Sequence, residues 1–299
     1  MVAVPIEVTA TTLAFALVML AGVLAAGGTS RRALALGVAA SVTLVPWMPL
    51  EARWMQAFLA VFSLVSFGRV IDLVRMPISF GWPRRAVHAI SAFDSRKAVI
   101  CAPELPVRSM LTALLYMAPM LLGLFVLLRV VPRIDGSACF LVRSSSGLVF
   151  VYCLTEAAYA AVWGMARSLG FRFPALHVAP ILARSVQEFW GERWNRTVSD
   201  WLRINCFMPF ARRRKPVLGV MAAFVVSAGL HAYMTVIPLG IVKAGWMLAY
   251  FLLQTVLIGL ERFFGIARWS APAAHAWTVT VMVLASPLFV EPMLEILSL

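Results

Sequence analysis

Long apolar runs constrain this chain of 299 residues more than any other feature. A helix that crosses the hydrocarbon core of a bilayer needs about 20 mostly apolar residues, and several such runs follow one another here. Hydrophobic residues make up 62% of the sequence and charged residues only 13%, about half of what soluble domains carry. The sequence therefore predicts an integral multi-pass membrane protein of the all-α class, a polytopic bundle of transmembrane helices.

The apolar runs mark about eight candidate spans. We expect them to form a single membrane-embedded domain over residues 1–299. Glu7 stands where a cleavable signal peptide would carry positive charge, so the first run is expected to be a retained helix. The candidate spans are Thr9–Gly27, Ala33–Pro49, Trp54–Val74, Ser109–Val131, Gly147–Arg167, Pro216–Pro238, Gly245–Phe263 and His275–Ile296.

The positive charge is concentrated between the apolar runs. The chain has 26 Lys and Arg against 13 Asp and Glu, a net charge of +13, and the basic residues gather mainly after the odd-numbered runs. By the positive-inside rule these connections are cytoplasmic and both termini lie on the far side. Such placement indicates that the positive charge sets the membrane topology, or binds anionic lipid or a polyanionic substrate. We expect no nucleic-acid partner. The expected location is a bacterial cytoplasmic membrane, or the endoplasmic reticulum in a eukaryote.

The most unusual connection is "RSVQEFWGERWNRTVSDWLRINCFMPF", residues Arg184–Phe210, which the basic run "ARRRKP" follows. Trp190 and Trp194 are four residues apart, and Val198 and Trp201 continue the same helical stripe. This pattern predicts an amphipathic helix at the membrane interface, where tryptophan rings are favoured. The alternative is a helix that only anchors the protein at the membrane interface and has no catalytic role.

Of the four histidines, His231 is the candidate for chemistry, because it lies well inside an apolar run. A polar ring there is costly unless it faces the bundle interior and finds a partner, and imidazole is the usual general base near neutral pH. A structural histidine bonded to a neighbouring helix is the alternative. His88 and His177 lie in basic loops, where we expect solvated rings, and His275 begins the last span.

Other polar residues in the spans are less specific. Glu156 is the clear mid-span carboxylate, and it could orient a base, line a polar path or pair with a helix. Gln254 is expected to form a hydrogen bond inside the bundle, and Glu261 with Arg262 an interfacial ion pair. The scattered cysteines lack metal-ligand spacing, so we expect no metal site.

The segment "SVQEFWGERWNRTVSDWLR", with "FVVSAGLHAYM" after it, resembles the membrane-bound O-acyltransferases, in particular their wax-synthase-like branch. That family has an F-W-x-x-R-W-N type motif facing the cytoplasm and a histidine inside a following helix. The specific part of the resemblance covers residues 184–250. The matching positions here are Phe189, Trp190, Gly191, Arg193, Trp194 and Asn195, then Ser227, Gly229, Leu230 and His231.

The resemblance implies acyl transfer from acyl-CoA, as co-substrate and with no bound cofactor, to the hydroxyl of a lipophilic alcohol. His231 would accept the hydroxyl proton, and the Asn195 amide would hydrogen-bond the thioester carbonyl or orient the donor. The substrate-binding residues would be Trp190, Arg193, Trp194, Arg212, Arg213, Arg214 and Glu156.

This chain departs from the family pattern in two places. Ala232 follows His231 where many members have an acidic residue, so an acidic orienter must come from elsewhere, and Glu156 is a candidate. Glu192 replaces a residue that is often basic. Two other functions stay open at this point. One is a proton-coupled transporter that uses His231 and Glu156, and the other is a non-catalytic scaffold.

Overall fold

Helices account for nearly all of the regular structure in the computed structural model, which describes residues 5–75 and 80–299. The predicted all-α class is confirmed. Two short strands, β1 (Val99–Ile100) and β2 (Phe171–Arg172), pair antiparallel. The α-helices are α1 (Ile6–Leu24), α2 (Thr29–Ser41), α3 (Arg53–Arg75), α4 (Trp82–Ile90), α5 (Val107–Phe125), α6 (Gly136–Ser168), α7 (Val186–Glu188), α8 (Arg196–Leu202), α9 (Met208–Ala211), α10 (Pro216–Leu239), α11 (Ile241–Phe264), α12 (Ala271–Ala285) and α13 (Pro287–Ile296).

Within the described residues, 5 helical stretches are long and apolar enough to cross a membrane, or 6 if the bent pair α12 and α13 is one span. The longest stretch contains α10 and α11, which Gly240 separates with a φ of +80°. The predicted multi-pass membrane protein is thus supported, while the number of about eight spans stays a prediction. The 5 stretches are Ile6–Leu24, Arg53–Arg75, Val107–Arg133, Gly136–Ser168 and Pro216–Phe264.

The second predicted span, Ala33–Pro49, does not form one long helix. Helix α2 ends at Ser41, and a 3-10 helix over Val42–Trp47 follows it. Pro46 lies inside this 3-10 helix. Because proline lacks an N–H and clashes with the preceding turn of an α-helix, it favours the end of α2 before this point.

The described chain divides into two compact units. The first comprises the residues up to Ala98 together with Tyr233–Ile241, and the second comprises Val99–Ala232 and Val242–Leu299. The single domain over residues 1–299 stays a prediction. In the first unit, the buried face of α1 carries Ala10, Ala14 and Val18, each 0% exposed. Small side chains at this spacing let neighbouring helices approach closely.

His88 on α4 also belongs to the first unit, and the expectation of a solvated ring is wrong. The side chain is 0% exposed, and its Nδ1 lies 2.7 Å from the Ser95 hydroxyl. Burial, together with the positive charges of Arg69 and Arg96, lowers the pKa of His88 to about 4. The arginine-rich sequence around His88 therefore did not imply a protonated, solvent-exposed imidazole.

In the second unit, α5 and α6 pack antiparallel at two close approaches. A Cβ on Gly123 of α5 would meet the Ser146 carbonyl of α6, while one on Gly164 of α6 would lie close to Ser109 of α5. On the other side of α6, Gly147 makes room for the Val290 and Leu294 side chains of α13. The absence of a side chain at these glycines is what brings the three helices together.

We predict that Gly123→Ala destabilises the protein by roughly 1–3 kcal/mol, because overpacking forces helices apart. A Cβ there would lie 2.9 Å from the Ser146 carbonyl oxygen and 3.2 Å from the Phe150 Cβ. The matched control is Gly259→Ala in α11, where nothing lies within 4 Å of the new methyl group. Thermal unfolding in detergent should show a lower midpoint for Gly123→Ala alone, and equal midpoints for both variants would contradict the prediction.

Candidate active site

The tryptophan-rich connection is helical, but it is not the single amphipathic helix that its spacing predicted. Helix α7 continues as a π-helical turn over Phe189–Arg193, after which Trp194 is extended and Asn195 is left-handed with a φ of 41°. The Asn195 side-chain oxygen then accepts a hydrogen bond from the Val198 N–H at 3.4 Å and caps α8. Asparagine tolerates the left-handed region and is a favoured N-cap, which explains the break at this residue.

The preceding loop holds this break through backbone hydrogen bonds on either side of it. The Val178 N–H donates to the Arg193 carbonyl at 2.9 Å, and the Arg196 N–H donates to the Leu176 carbonyl at 2.9 Å. The Arg193 guanidinium also donates to the carbonyls of Val178 and Ala179 at 3.0 and 3.2 Å. Arg193, which the sequence predicted to bind substrate, is thus engaged in holding the loop.

Helix α11 fixes the other side of the connection. The Glu261 carboxylate accepts hydrogen bonds from the N–H groups of Val186, at 2.7 Å, and Gln187, at 3.4 Å. A carboxylate at a helix N-terminus satisfies donors that have no partner within the helix. The expected ion pair of Glu261 with Arg262 is therefore wrong, and Arg262 instead donates to the Gln187 side chain at 3.2 Å.

Gln254 of α11 has the role that the sequence predicted, a hydrogen bond inside the bundle. The side chain is 0% exposed, and its oxygen accepts from the Trp190 indole N–H at 3.1 Å. The indole also packs against Phe224 of α10 and Phe251 of α11. These contacts fix the Trp190 ring relative to both long helices.

The contacts of His231 define its tautomer. Its Nδ1 lies 2.8 Å from the Ser227 carbonyl oxygen, one turn earlier on α10. Because a carbonyl can only accept, Nδ1 carries the proton and Nε2 of the neutral ring carries the lone pair. The Phe251 ring stacks on the imidazole with centroids 3.8 Å apart. A backbone carbonyl, rather than the candidate Glu156, therefore orients Nδ1.

A cavity of about 820 Å³ brings His231 together with the motif. Trp190, Trp194 and Asn195 line it on the side of the connection, and His231 lines it on α10. The volume lies within the range of sites that enclose small organic ligands, roughly 300–1,000 Å³. The sequence placed these residues on two separate elements, and the fold gives them a common wall.

The cavity wall has an apolar part and a charged part. The apolar part includes Val220, Ala223 and Phe224, which with Ser227 and His231 form one stripe of α10. Sequence reasoning did not assign Arg196 and Arg203 to the site, although they are seven residues apart, a spacing that predicts one helical face. The charged members are Glu192, Arg196, Asp200, Arg203 and Arg262.

Several predicted substrate-binding residues are not on this wall. Arg212, Arg213 and Arg214 are exposed in the turn that follows α9, and Arg193 contacts the preceding loop. Glu156 is buried, and its carboxylate lies 2.8 Å from Nδ1 of His177. The substrate-binding roles of these residues stay predictions.

The pairing with Glu156 also corrects the expectation of a solvated His177. The residue is 7% exposed, and its ring stacks on the Trp194 indole with centroids 4.4 Å apart and an interplanar angle of 13°. Burial of an imidazole is costly unless a partner satisfies it, and the Glu156 carboxylate supplies that partner. Sequence distance hid this pairing, because the loop of His177 folds back onto α6.

The fold is that of a polytopic membrane protein, and a histidine inside one of its candidate spans shares a ligand-sized cavity with a Trp-Asn motif. The family model described as "Membrane bound O-acyl transferase family" matches residues 173–253. This match confirms the resemblance that the sequence motifs indicated. The matched residues include the motif, His231 and Phe251.

Curated relatives agree with the family match. The chain is 31% identical over 131 residues to "Probable long-chain-alcohol O-fatty-acyltransferase 3" of Arabidopsis thaliana, covering 39% of this chain and 38% of the relative. It is 31% identical to "Acyl-CoA--sterol O-acyltransferase 1" of Arabidopsis thaliana, covering 37% and 36%. It is 39% identical over 89 residues to "Long-chain-alcohol O-fatty-acyltransferase" of Simmondsia chinensis, covering 27% and 25%. The chain thus matches well under half of the length of these relatives.

Glu188, at the end of α7, is expected to make the stability of the connection pH-dependent. Burial acts to raise the pKa of Glu188, but the Arg184 N–H and the Arg193 guanidinium outweigh it and hold the pKa below the ordinary value of 4.5. Those contacts are 2.8 and 2.6 Å long. A lowered carboxyl pKa stabilises the fold above the unfolded-state pKa, and this stability is lost as the pH falls through the folded-state pKa.

We predict that Glu188→Gln lowers the free energy of unfolding by about 1 kcal/mol at neutral pH, a value reduced for partial exposure. The difference from the wild type should shrink as the pH falls below 4.5. Unfolding midpoints across this pH range measure it. The matched control is Glu192→Gln, since Glu192 follows Glu188 by about one helical turn and lines the cavity. A difference between wild type and Glu188→Gln that does not vary with pH would contradict the prediction.

Proposed function

We propose that this protein is a membrane O-acyltransferase, which transfers an acyl group from acyl-CoA to the hydroxyl of a lipophilic alcohol and so forms an ester. The observation that carries the proposal is the cavity of about 820 Å³, which His231 and Asn195 both line. The names of the relatives specify long-chain alcohols and a sterol as acceptors and fatty acyl groups or acyl-CoA as donors. They therefore favour a lipophilic acceptor for this chain.

In the proposed reaction, His231 acts as the general base. Its Nε2 lone pair removes the proton of the alcohol hydroxyl while the oxygen attacks the thioester carbonyl carbon. When the tetrahedral intermediate collapses, the carbon–sulfur bond breaks and the imidazolium returns its proton to the departing thiolate. The Ser227 carbonyl holds Nδ1 during this cycle, and the face of the Phe251 ring lies where it favours the positive imidazolium.

Asn195 is the proposed donor to the oxyanion. Its side-chain oxygen already accepts the capping hydrogen bond of α8, so the amide NH₂ is the group that it offers to a substrate. One well-placed donor to a developing oxyanion lowers the barrier by roughly 3 kcal/mol. The left-handed backbone at Asn195 sets the direction of this donor. The break in the connection would thus orient the amide toward the substrate.

The two parts of the cavity wall suit the two parts of the donor. Arg196, Arg203 and Arg262 would hold the phosphates of coenzyme A, since guanidinium groups bind phosphate with strong charge-assisted hydrogen bonds. The apolar stripe of α10 would accommodate the acyl chain or the alcohol. The exposed Arg212–Arg214 turn would attract the polyanionic donor from a distance. We place this arginine-rich side in the cytosol, in a bacterial cytoplasmic membrane or in the endoplasmic reticulum.

The transporter alternative loses its main support. It required His231 and Glu156 to form a proton relay, but the Glu156 carboxylate is paired with His177. The residues that line the cavity of His231 do not include Glu156. Nothing in the described part of the chain favours this second function.

We predict that His231→Gln lowers the rate of ester formation by roughly 10²–10⁴-fold, the usual contribution of a general base. The thermal midpoint should stay close to that of the wild type. Purified protein is incubated with labelled acyl-CoA donors and a panel of long-chain alcohols and sterols, and esters are measured by mass spectrometry. His275→Gln is the matched control, because His275 bonds the Ala183 carbonyl and neither residue lines the cavity. A His231→Gln protein with full activity would refute the proposed mechanism.

We predict different kinetic effects for two pairs of arginines. Removing Arg196 and Arg203 together by alanine substitution should raise the apparent KM for acyl-CoA about tenfold or more, since each charge-assisted bond contributes about 1.5–3 kcal/mol. Removing Arg212 and Arg213 should have a smaller effect that disappears at high salt, because exposed charges are screened. Michaelis constants at low and high ionic strength measure this. Identical behaviour of the two double variants would remove the wall arginines from the donor site.

A further inference from the structure

A buried carboxylate–imidazole pair lies beside the cavity, and the proposed mechanism does not use it. Glu156 is in the middle of α6, and its Oε1 is 2.8 Å from Nδ1 of His177. The two side chains are only 6% and 2% exposed. Groups of this kind are costly to bury in a membrane protein and are retained where they have a task. Neither residue lines the cavity, so the task is not direct contact with a ligand there.

The His177 ring supports the motif by stacking. Its near-parallel contact with the Trp194 indole has centroids 4.4 Å apart. The Phe189 ring is also near-parallel to that indole, at 5.7 Å and 13°. The indole therefore has one aromatic neighbour in the preceding loop and one in the π-helical turn, and these fix the plane of its ring.

Backbone contacts on either side place His177 opposite the turn at Trp194 and Asn195. Leu176 accepts from the Arg196 N–H and Val178 donates to the Arg193 carbonyl, each at 2.9 Å. The Leu176 N–H donates to the Tyr159 hydroxyl of α6 at 3.2 Å. The loop is thus tied to α6 at Tyr159, about one helical turn from Glu156, which holds His177.

We propose that Glu156 and His177 are positioning residues, which fix the Trp194–Asn195 turn and thereby aim the Asn195 amide into the cavity. The inference rests on the proposed acyl transfer. Glu156 holds the imidazole plane, the imidazole holds the indole plane, and the indole belongs to the residue before Asn195. Loss of this support tilts the turn and misdirects the donor, while the cavity wall that binds the acyl-CoA phosphates is kept.

The test is a double-mutant cycle that pairs His177→Leu with Asn195→Ala. A misplaced donor should lower kcat of His177→Leu by roughly 10- to 100-fold with little change in KM for acyl-CoA. If His177 acts through Asn195, adding His177→Leu to the Asn195→Ala variant should lower kcat by less than about a further twofold. If the kcat loss of the double variant equals the product of the two single losses, the inference is overturned.

Further variants separate positioning from general loss of stability. Glu156→Gln keeps an oxygen that accepts from Nδ1 and should retain most of the turnover, whereas Glu156→Ala should behave like His177→Leu. His275→Leu is the matched control, because His275 bonds the Ala183 carbonyl of the same loop at 2.9 Å and does not line the cavity. The fold-loss in kcat caused by His275→Leu should multiply with the fold-loss caused by Asn195→Ala, as expected for two independent residues. Equal turnover of Glu156→Gln and Glu156→Ala would contradict a positioning role.

A second measurement keeps the inference independent of the assay. The thermal midpoints of the same four proteins of the cycle report whether His177 and Asn195 stabilise one common turn. A wild-type protein that forms no ester from any donor and acceptor overturns the proposed function, and the midpoints alone then decide the inference. Additive shifts in the midpoints would overturn it, and non-additive shifts would support it.

Discussion

A polar group among membrane helices must find its hydrogen-bond partner within the protein, and this requirement organises the second unit. Gln254 bonds the Trp190 indole, and Glu261 bonds the first N–H groups of α7. His231 bonds the carbonyl of Ser227 on its own helix. Each of these bonds satisfies a buried or half-buried group and also fixes one part of the candidate site.

Helix α11 relates the two halves of that site to each other. On one side, Gln254 and Glu261 hold the connection that carries the motif. On the same helix, Phe251 stacks on the His231 ring and packs against Trp190. Because one rigid helix contacts both the proposed base and the motif, the separation between them is set by the spacing of residues along α11. Proximity of this kind is a large part of catalysis by positioning.

The break in the connection explains how a mostly apolar protein can present directed polar groups. A continuous helix would have placed Trp190 and Trp194 on one stripe, as an anchor does. The extended Trp194 and left-handed Asn195 instead separate the two helical pieces, and the cavity lies against this turn. The charged wall next to the turn and the apolar stripe of α10 both belong to the cavity that His231 lines. In the proposed reaction they would receive the anionic thioester and the lipophilic alcohol.

The sequence by itself determined the all-α membrane class, the unusual status of His231 and the resemblance carried by the motif. Apolar run length, helical period and residue type are local properties, and they survive in any arrangement of the helices. The tertiary structure decided which polar groups meet. It paired Glu156 with His177 rather than with His231, and it placed Arg196 and Arg203, rather than Arg212–Arg214, on the cavity wall. Those outcomes depend on where loops fold back and where a helix breaks, and these follow from contacts between residues far apart in the chain.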